Sequence, residues 1–515
     1  MTGGGNHLAD ILRAGAAAGD RVFAHLPDGG SLSHGALWQR AGRMAGALVA
    51  AGLAPGDRVA VQAEKSIAFI ELYLGTILAG GVFLPLNTAY TPAEMAHFLN
   101  DAEPAVLVTD PARAADLGAL TGARLFTLDA AGGGTLAEAA AAAAPVAAVS
   151  RAPDDLAAIL YTSGTTGRSK GAMLTHGNLA SNALTLRDVW GFTAEDVLIH
   201  ALPVYHTHGL FVATNVALAA GCALRFHPRF DAGMVLADLP RATVLMGVPT
   251  FYVRLLEAPG LDRAACAGMR LFISGSAPLL PETHRRWQER TGHAILERYG
   301  MTETGMNTSN PLHGERRPGT VGFPLPGVEL RIGDGSRPAS PGEIGVIEVR
   351  GPNVFKGYWR MPEKTAEELR PDGWFITGDL GMIDADGYVH IVGRAKDLII
   401  SGGLNVYPRE VEAAIDALPG GGGKRGVRPA PSRSGRGGWP RAIVAEPGVE
   451  LSADSLRRAL DGRLARFKLP APRRAGRFAA AQRHGQGAEG AAARRPLPTP
   501  SRGRADAVLA DHRGG

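Results

Sequence analysis

Cysteine is scarce in this chain, with only Cys222 and Cys266 among 515 residues. So few thiols exclude a framework of several disulfides and a zinc site built from cysteines. They also favour a reducing compartment, and we expect a cytoplasmic protein.

Long apolar stretches are missing as well. The first residues contain no basic segment followed by an apolar core, so we expect no secretory signal. No uninterrupted apolar run reaches the ~18–20 residues that a membrane span needs. The alanine-rich run at 137–149 contains a proline, and we interpret it as a surface helix followed by a linker. The sequence therefore predicts no membrane span.

Acidic residues are few in the last part of the chain. Residues 421–515 hold 20 Lys and Arg against 7 Asp and Glu, whereas the remainder holds 34 against 42. The formal net charge of +5 thus averages an acidic body and a basic tail. A basic tail can attract nucleic acid. A shifted reading frame also gives such a composition, and we do not expect nucleic acid as a partner.

The length and the order of local patterns predict the fold class. A chain of 515 residues is too long for one compact core. From 30 to about 400, short β-rich runs alternate with helical patterns, which favours an α/β fold with largely parallel sheet. From about 320 the strands are short and separated by glycine turns, as in a small β-rich subdomain.

The stretch ILYTSGTTGRSKGAMLTH at 159–176 carries the first chemical signal. It places glycines, hydroxyl residues and Lys170 between an apolar run and a segment interpreted as a helix. Glycines let backbone N–H groups converge on a polyphosphate, and hydroxyls and a lysine add donors and charge. The spacing differs from a Walker A loop, because Arg168, Ser169 and Lys170 follow Gly167. A plain flexible loop is the alternative.

Further motifs follow in order and make the loop specific. They are LPVYHTHG (202–209), FISGSAPL (272–279), ERYGMTET (297–304), GWFITGDLG (373–381), GRAKD (393–397) and SGGLNVYPREVE (401–412). Together with the loop they resemble the adenylate-forming superfamily of acyl-CoA synthetases, luciferases and peptide-synthetase adenylation domains. The region 58–418 is most similar to malonyl-CoA synthetases.

The resemblance implies two domains. The first, residues 1–395, would be a large domain of layered α/β subdomains with a β-rich subdomain that binds ATP and the acid. The second, residues 396–515, would be a small mobile α+β domain that rotates between two half-reactions. Lys396 matches the hinge, and Gly402 and Gly403 would line the tunnel for CoA.

The resemblance also implies a nucleotide site. The glycine-rich loop Thr162–Gly167 and Lys170 would bind the phosphates. Tyr299 would stack on adenine, and Asp379 with Arg394 would hold the ribose. Glu303 would bind Mg²⁺, assisted by Thr166 or Thr302. We expect catalytic roles for Thr166, Lys170 and Glu303. The full set implied for ATP is Thr162, Ser163, Gly164, Thr165, Thr166, Gly167, Lys170, Gly275, Ser276, Ala277, Pro278, Glu297, Arg298, Tyr299, Gly300, Met301, Thr302, Asp379 and Arg394.

Malonate would need a cation for its second carboxylate, and arginine recognises carboxylates bidentately. We expect Arg285 in this role, ahead of Arg286 and Arg298, with His206 and Ser276 as polar partners. The alternative for Arg285 is a surface charge on an amphipathic helix. The runner-up substrates are another short acid or a fatty acid, which would need an apolar tunnel. His206 and His208 lack a third ligand nearby in sequence, so we do not expect them to bind a metal.

Members of the superfamily end in a PRxxxGK motif whose lysine contacts the reacting groups, and this chain lacks it. After residue 420 its lysines are Lys424 and Lys468, and neither has that context. The codons for 480–489, read one base later, can encode Pro-Arg-Asn-Ala-Met-Gly-Lys-Val-Gln-Lys, with the lysine at the place of Gln486. We hypothesise that about 420–441 and 471–515 are frameshifted. A genuine disordered basic tail is the alternative.

Two function classes remain open from the sequence. One is an ATP-dependent acid–CoA ligase that forms an acyl-adenylate. The other is a catalytically impaired ATP-binding homologue that lacks the terminal lysine.

Overall fold

The computed structural model describes residues 5–15, 19–162, 169–333 and 339–395, the backbone of 399–401 and 404–406, and residues 458 and 460. Twelve helices lie within these ranges: α1 (His7–Ala14), α2 (His34–Ala50), α3 (Ile67–Leu78), α4 (Pro92–Ala102), α5 (Ala114–Gly118), α6 (Thr135–Ala142), α7 (His176–Val189), α8 (Asn215–Ala220), α9 (Ala232–Asp238), α10 (Pro249–Glu257), α11 (Pro281–Thr291) and α12 (Pro362–Glu368).

The described residues also form twenty-one strands. They are β1 (Val22–His25), β2 (Ser31–Ser33), β3 (Arg58–Gln62), β4 (Val82–Pro85), β5 (Val106–Thr109), β6 (Arg124–Thr127), β7 (Leu156–Thr162), β8 (Lys170–Thr175), β9 (Val197–His200), β10 (Ala223–Phe226), β11 (Val244–Gly247), β12 (Leu271–Ser274), β13 (Leu296–Met301), β14 (Gly305–Ser309), β15 (Phe323–Pro324), β16 (Glu329–Gly333), β17 (Gly345–Arg350), β18 (Phe375–Ile383), β19 (Val389–Arg394), β20 (Ile399–Ser401) and β21 (Leu404–Val406).

Two large sheets form the body of the described structure. One has the order β6-β5-β3-β4-β7-β8 and is parallel except for the β7–β8 pair. The other has the order β15-β14-β13-β12-β11-β9-β10-β1-β2 and is parallel from β13 to β1. Strands such as β4, β5, β11 and β12 are buried along their whole length, as expected for parallel strands covered on both faces. The predicted α/β class is confirmed.

A smaller antiparallel sheet, β16-β17-β18-β19, follows the two large ones. It corresponds to the β-rich subdomain expected after about residue 320. The strands β20 and β21 pair as an antiparallel hairpin, and apart from residues 458 and 460 the rest of the expected second domain lies outside the described residues.

One segment differs from the sequence-based expectation. Residues from Lys170 to Thr175 form strand β8, which pairs antiparallel with β7 and opposes Lys170 to Thr162. The helix α7 begins only at His176, after a capping box in which Thr175 and Asn178 bond each other's backbone N–H. The glycine-rich segment 163–168 therefore joins the two strands of a hairpin rather than a strand and a helix.

A buried lysine connects the two large sheets. Lys65 Nζ lies 2.8 Å from His200 Nδ1 and donates to the His200 carbonyl at 2.7 Å. His200 Nε2 lies 2.9 Å from the carbonyl of Gly209, in the π-helical turn His208–Thr214. Burial lowers the pKa of Lys65 well below its ordinary value. This chain of contacts fixes the turn that carries His208 of the motif at 202–209.

Among the described residues, every helix is too short or too polar to cross a bilayer.

His176 should make the fold sensitive to acid. Burial lowers its pKa to about 4, and its Nδ1 lies 3.4 Å from the backbone N–H of Leu8. As the pH falls from about 6.5 toward 4, the unfolded chain binds a proton that the folded protein excludes, and the free energy of unfolding decreases by up to ~3 kcal/mol. His176→Asn should flatten this pH dependence in urea titrations between pH 7 and 4.5. His313→Asn, at an exposed position, is the control and should leave it unchanged. Equal slopes in all three proteins would contradict the prediction.

Candidate active site

A cavity of about 590 Å³ opens where the carboxyl ends of several strands meet. Its walls come from the residues that end or follow β4, β7, β9, β12 and β13, together with parts of β18 and β19. Open α/β sheets bind ligands at this edge, because loops rather than continuing strands fill the space there. The cavity has three groups of polar side chains, which we call the ribose, phosphate and acid ends after the ligand groups that the sequence resemblance implies for residues in them.

The ribose end consists of Tyr299, Asp379 and Arg394. The buried Tyr299 donates its hydroxyl proton to Asp379 Oδ2 at 2.6 Å, and Arg394 Nε lies 2.7 Å from Asp379 Oδ1. Burial and the neighbouring Asp379 raise the pKa of Tyr299 well above its ordinary value, so the phenol stays protonated. Arg394 is exposed and lines the cavity, so the buried Asp379 carboxylate is held between a phenol and a guanidinium next to the cavity.

The phosphate end contains one cation and two carboxylates around Tyr358. Lys170 Nζ lies 3.1 Å from both carboxylate oxygens of Glu368 and 4.0 Å from the centre of the Tyr358 ring. The Tyr358 hydroxyl lies 2.5 Å from Glu368 Oε2 and 3.2 Å from Glu303 Oε1. Thr162 Oγ1 is 3.3 Å from the same Glu303 oxygen. All five side chains line the cavity.

The two carboxyls at this end differ in acidity. Burial raises the pKa of Glu303, and Lys170 only partly offsets this. Burial also opposes ionisation of Glu368, but hydrogen bonds from Tyr358, Lys364 and Lys170 outweigh it and hold its pKa below the usual range. Of the two carboxyls, Glu368 is therefore the one that stays ionised to lower pH.

The acid end is built around Arg298. This side chain is buried, and its Nε and Nη2 atoms have no hydrogen-bond partner among the described residues. The guanidinium lies against Gly275, where any Cβ would overlap it. Burial lowers the pKa of Arg298 to about 9. An unsatisfied buried cation beside a cavity is costly unless a ligand supplies the missing acceptors.

Three neutral polar groups surround this cation. His206 and His208 line the cavity, and burial together with the charge of Arg298 lowers the pKa of both imidazoles. Ser276 Oγ lies 3.3 Å from His208 Nδ1, and Ser276 has a left-handed backbone conformation with φ of 66°. That conformation is uncommon outside glycine and carries a backbone cost.

A family model described as AMP-binding enzyme matches residues 11–359. The chain belongs to this family. The ATP-bound MatB of Rhodopseudomonas palustris superposes with a TM-score of 0.87 at 55% identity, covering 90% of this chain and 94% of that one.

Curated members of the AMP-binding family extend the comparison. A feruloyl-CoA synthase of an Amycolatopsis species is 38% identical over 86% of this chain and 89% of its own length. A malonate–CoA ligase of Arabidopsis thaliana is 36% identical over 71% of this chain and 64% of its own length. A sulfoacetate–CoA ligase of Cupriavidus necator is 38% identical over 78% of this chain and 80% of its own length. This chain is therefore an acid–CoA ligase that uses ATP and CoA.

The structure of this AMP-binding enzyme brings many of the predicted site residues to one cavity. Its lining includes Thr162, Lys170, His206, Ser276, Arg298, Gly300, Met301, Thr302, Glu303 and Arg394. Tyr299 and Asp379 adjoin it through the ribose end. Glu297 is buried behind the cavity, where its Oε1 lies 3.2 Å from His284 Nδ1, while Ala277 and Pro278 are exposed beside Ser276.

Other predicted residues are not placed at the cavity. Arg285 is exposed on α11 and is absent from the cavity lining, as is Arg286. The predictions for Ser163, Gly164, Thr165, Thr166, Gly167, Lys396, Gly402, Gly403 and Gln486 lie outside the described residues.

Sequence reasoning missed two members of the phosphate end. Tyr358 and Glu368 lie between the motifs ERYGMTET and GWFITGDLG, in a stretch that matches none of the superfamily motifs given above. The spacing of ten residues between this tyrosine and this carboxylate indicates no motif. The only indication in the sequence is that both side chains can form hydrogen bonds to polar ligands. The part of the chain that the structure describes holds no cluster of three or more His, Cys, Asp and Glu side chains suited to a metal.

Proposed function

We propose that this enzyme is a malonate–CoA ligase. It would convert malonate, ATP and CoA to malonyl-CoA, AMP and pyrophosphate through a malonyl-adenylate. The observation that carries this proposal is the buried guanidinium of Arg298 at the acid end of the cavity, with two donor nitrogens unsatisfied among the described residues.

A second carboxylate on the substrate explains this cation. After the first carboxylate has reacted with ATP, malonate still carries a negative charge that must be held away from water. An arginine offers paired N–H donors that match a carboxylate, and the donors of His206, His208 or Ser276 can complete the contacts. A fatty acid would place an alkyl chain against an unpaired charge, which is unfavourable.

In this proposal the arginine that binds the second carboxylate of malonate is therefore Arg298 and not Arg285. Arg285 is exposed on α11, in agreement with the alternative of a surface charge. Arg298 lies on β13, immediately before Tyr299, so the same strand would position both the acid and the nucleotide.

Sulfoacetate is a second candidate, favoured by the same cation. It also carries a second anionic group, and a relative at 38% identity has that activity in its name. Ferulate and indoleacetate, named in other relatives, have no second anion to satisfy Arg298. Malonate is preferred because the malonate–CoA ligases of Arabidopsis thaliana and Bos taurus are among the relatives.

ATP would extend from the ribose end to the phosphate end. Asp379 would accept hydrogen bonds from the ribose hydroxyls, Tyr299 would contact the base, and Lys170 would bind the β- and γ-phosphates. A carboxylate in the cavity beside hydroxyls suits Mg²⁺, and Glu303 with Thr302 or Thr166 would hold it. When bound, the ion neutralises phosphate charge.

The malonate carboxylate would attack the α-phosphate, forming an acyl–phosphate bond and releasing pyrophosphate. The CoA thiol would then attack the acyl carbon and release AMP. Residues 1–395 would carry the first half-reaction. Residues 396–515 would supply the hinge at Lys396 and the CoA tunnel at Gly402 and Gly403, as the superfamily resemblance implies.

Substrate selection tests this proposal directly. The acids malonate, sulfoacetate, ferulate and hexanoate are titrated by calorimetry into the purified chain saturated with a non-hydrolysable ATP analogue. Malonate should bind most tightly and hexanoate should show no specific binding. Acid-dependent AMP release then ranks the same acids with the chain as written and with a frame-restored chain. A preference for ferulate or hexanoate in both assays would overturn the proposal.

Asp379→Asn should weaken ATP binding while leaving the fold intact. The amide keeps one acceptor for Tyr299 but loses the charge that holds Arg394 and accepts both ribose hydroxyls. We expect the Kd for ATP to rise by about 10- to 100-fold, since charged hydrogen bonds contribute ~1.5–3 kcal/mol each. Calorimetry measures this change. Asp386→Asn, an exposed carboxylate in the turn after β18, is the control and should bind ATP normally. An unchanged Kd in Asp379→Asn would contradict the ribose assignment.

A further inference from the structure

The ion pair between Lys170 and Glu368 occupies the phosphate end of the cavity. Both Glu368 oxygens lie 3.1 Å from Lys170 Nζ, and the two side chains are only 8% and 21% exposed. A carboxylate with both oxygens on one ammonium reproduces the contact that two phosphate oxygens would make. Lys170 is thus already engaged by an anion that belongs to the protein.

Two other side chains hold Glu368 in that position. The Tyr358 hydroxyl lies 2.5 Å from Oε2 and Lys364 Nζ lies 2.9 Å from Oε1. The Tyr358 ring also packs against the Lys170 ammonium. Because Glu368 is the last residue of α12, the helix fixes its backbone while the side chain reaches into the cavity. The pair is therefore a built arrangement rather than a chance surface contact.

We propose that Glu368 is a built-in competitor for the phosphates of ATP, which holds Lys170 until the nucleotide displaces it. The inference rests on the proposed phosphate role of Lys170. Polyphosphate must break the ion pair before it gains Lys170, and it must approach a fixed negative charge. The apparent affinity for ATP and pyrophosphate is lowered by the fraction of molecules in which Lys170 is held.

The same contact gives the site a means of product release. Pyrophosphate leaves the phosphate end after adenylate formation, and Glu368 recaptures Lys170 as it departs. The ammonium thereby exchanges one anion for another and is never left unpaired in a partly buried site, which would be unfavourable.

Glu368→Gln tests this inference because it removes the charge and keeps the shape. Pyrophosphate and ATP are titrated by calorimetry into the full chain, each with and without Mg²⁺. We expect both to bind about tenfold more tightly to the variant, which corresponds to an ion pair that holds Lys170 in roughly nine molecules of ten. The tightening should appear without Mg²⁺ as well as with it.

Glu367→Gln is the matched control, since it removes a charge from the neighbouring position of α12. The Glu367 side chain is 65% exposed and pairs with Lys364 rather than Lys170. It should leave the Kd for pyrophosphate unchanged. Equal tightening in both variants would mean a general charge effect and would overturn the inference.

Two further results separate this inference from the phosphate assignment itself. Lys170→Met should weaken pyrophosphate binding; if it does not, the proposed role of Lys170 fails. If Lys170→Met weakens pyrophosphate binding but Glu368→Gln leaves it unchanged, the proposed role of Glu368 as a competitor fails while the phosphate role of Lys170 stands. Weaker binding in Glu368→Gln only when Mg²⁺ is present would assign Glu368 to the metal and also overturn the inference.

Discussion

Arg298→Met should strongly weaken malonate binding while leaving ATP binding nearly unchanged. We expect the Kd for malonate, measured with a bound ATP analogue, to rise by at least about 30-fold. Loss of one partner of a buried charge pair costs ~2–5 kcal/mol, which is about 30- to several-thousand-fold in affinity.

The size of this effect follows from the surroundings of Arg298. Its guanidinium is buried, contacts Gly275 and has two nitrogens without a partner in the described structure. In the variant, a bound malonate would place its second carboxylate in the same low-dielectric space with no cation. Methionine has a similar length and is apolar, so the loss reflects missing charge rather than missing volume.

Arg285→Met provides the matched control on an exposed arginine of α11. It should bind malonate as well as the unmodified chain does. If Arg285→Met loses malonate and Arg298→Met retains it, the original sequence-based choice is restored and the proposal about Arg298 fails.

Stability supplies an independent readout for Arg298. An unpaired buried charge is unfavourable, and its replacement by an apolar side chain is often neutral or stabilising. The ligand-free Arg298→Met variant should therefore melt at the same temperature as the parent or higher. A lower melting temperature would show that the guanidinium supports the fold instead of awaiting a ligand.

The fold class and most of the cavity were predictable because they rest on local patterns. Buried strands such as Val106–Thr109 and Leu271–Ser274 are continuous apolar runs that end in small polar residues. Tyr299, Asp379 and Arg394 were found through ordered motifs, and the structure places them in mutual contact. The pattern of apolar residues and the order of motifs can both be read from the sequence without knowledge of the tertiary contacts.

Which arginine lies at the cavity was not predictable, because it depends on burial across the chain. Arg285 and Arg298 both lie near motif residues in sequence. Only the packing of β13 against the turn at Gly275 makes one of them buried and the other exposed. The contact between Lys170 and Glu368 joins residues 198 positions apart, and no local spacing indicates it. The strand at Lys170–Thr175 was missed because pairing with β7 overrides a pattern that favours a helix.

Restoring the reading frame should increase malonate-dependent AMP release by at least about 100-fold, the scale of a lost charge contact at a developing anion. The written chain has Gln486 where the shifted codons can supply the lysine of a PRxxxGK motif. Adenylate formation brings an anionic carboxylate to an anionic phosphate, and a lysine at that point would offset the repulsion. A neutral amide cannot.

The experiment compares three chains in one AMP-release assay. They are the chain as written, a chain with both frames restored at about 420–441 and 471–515, and the restored chain with its motif lysine replaced by glutamine. Only the second should be fast. Gln486→Lys in the written chain should give no gain, because Ala480 and Ala481 stand where the motif has proline and arginine.

Resequencing of the gene decides the cause of the missing lysine. A one-base slip near codons 419–441 and another near codon 470 are expected, since shifted frames of a GC-rich gene encode the Ala, Arg, Gly and Pro that dominate the tail. A sequence without slips, together with rapid AMP release by the chain as written, would show that adenylation proceeds without this lysine. The cavity, with Lys170 at its phosphate end and Arg298 at its acid end, would then have to carry out the first half-reaction without the terminal lysine.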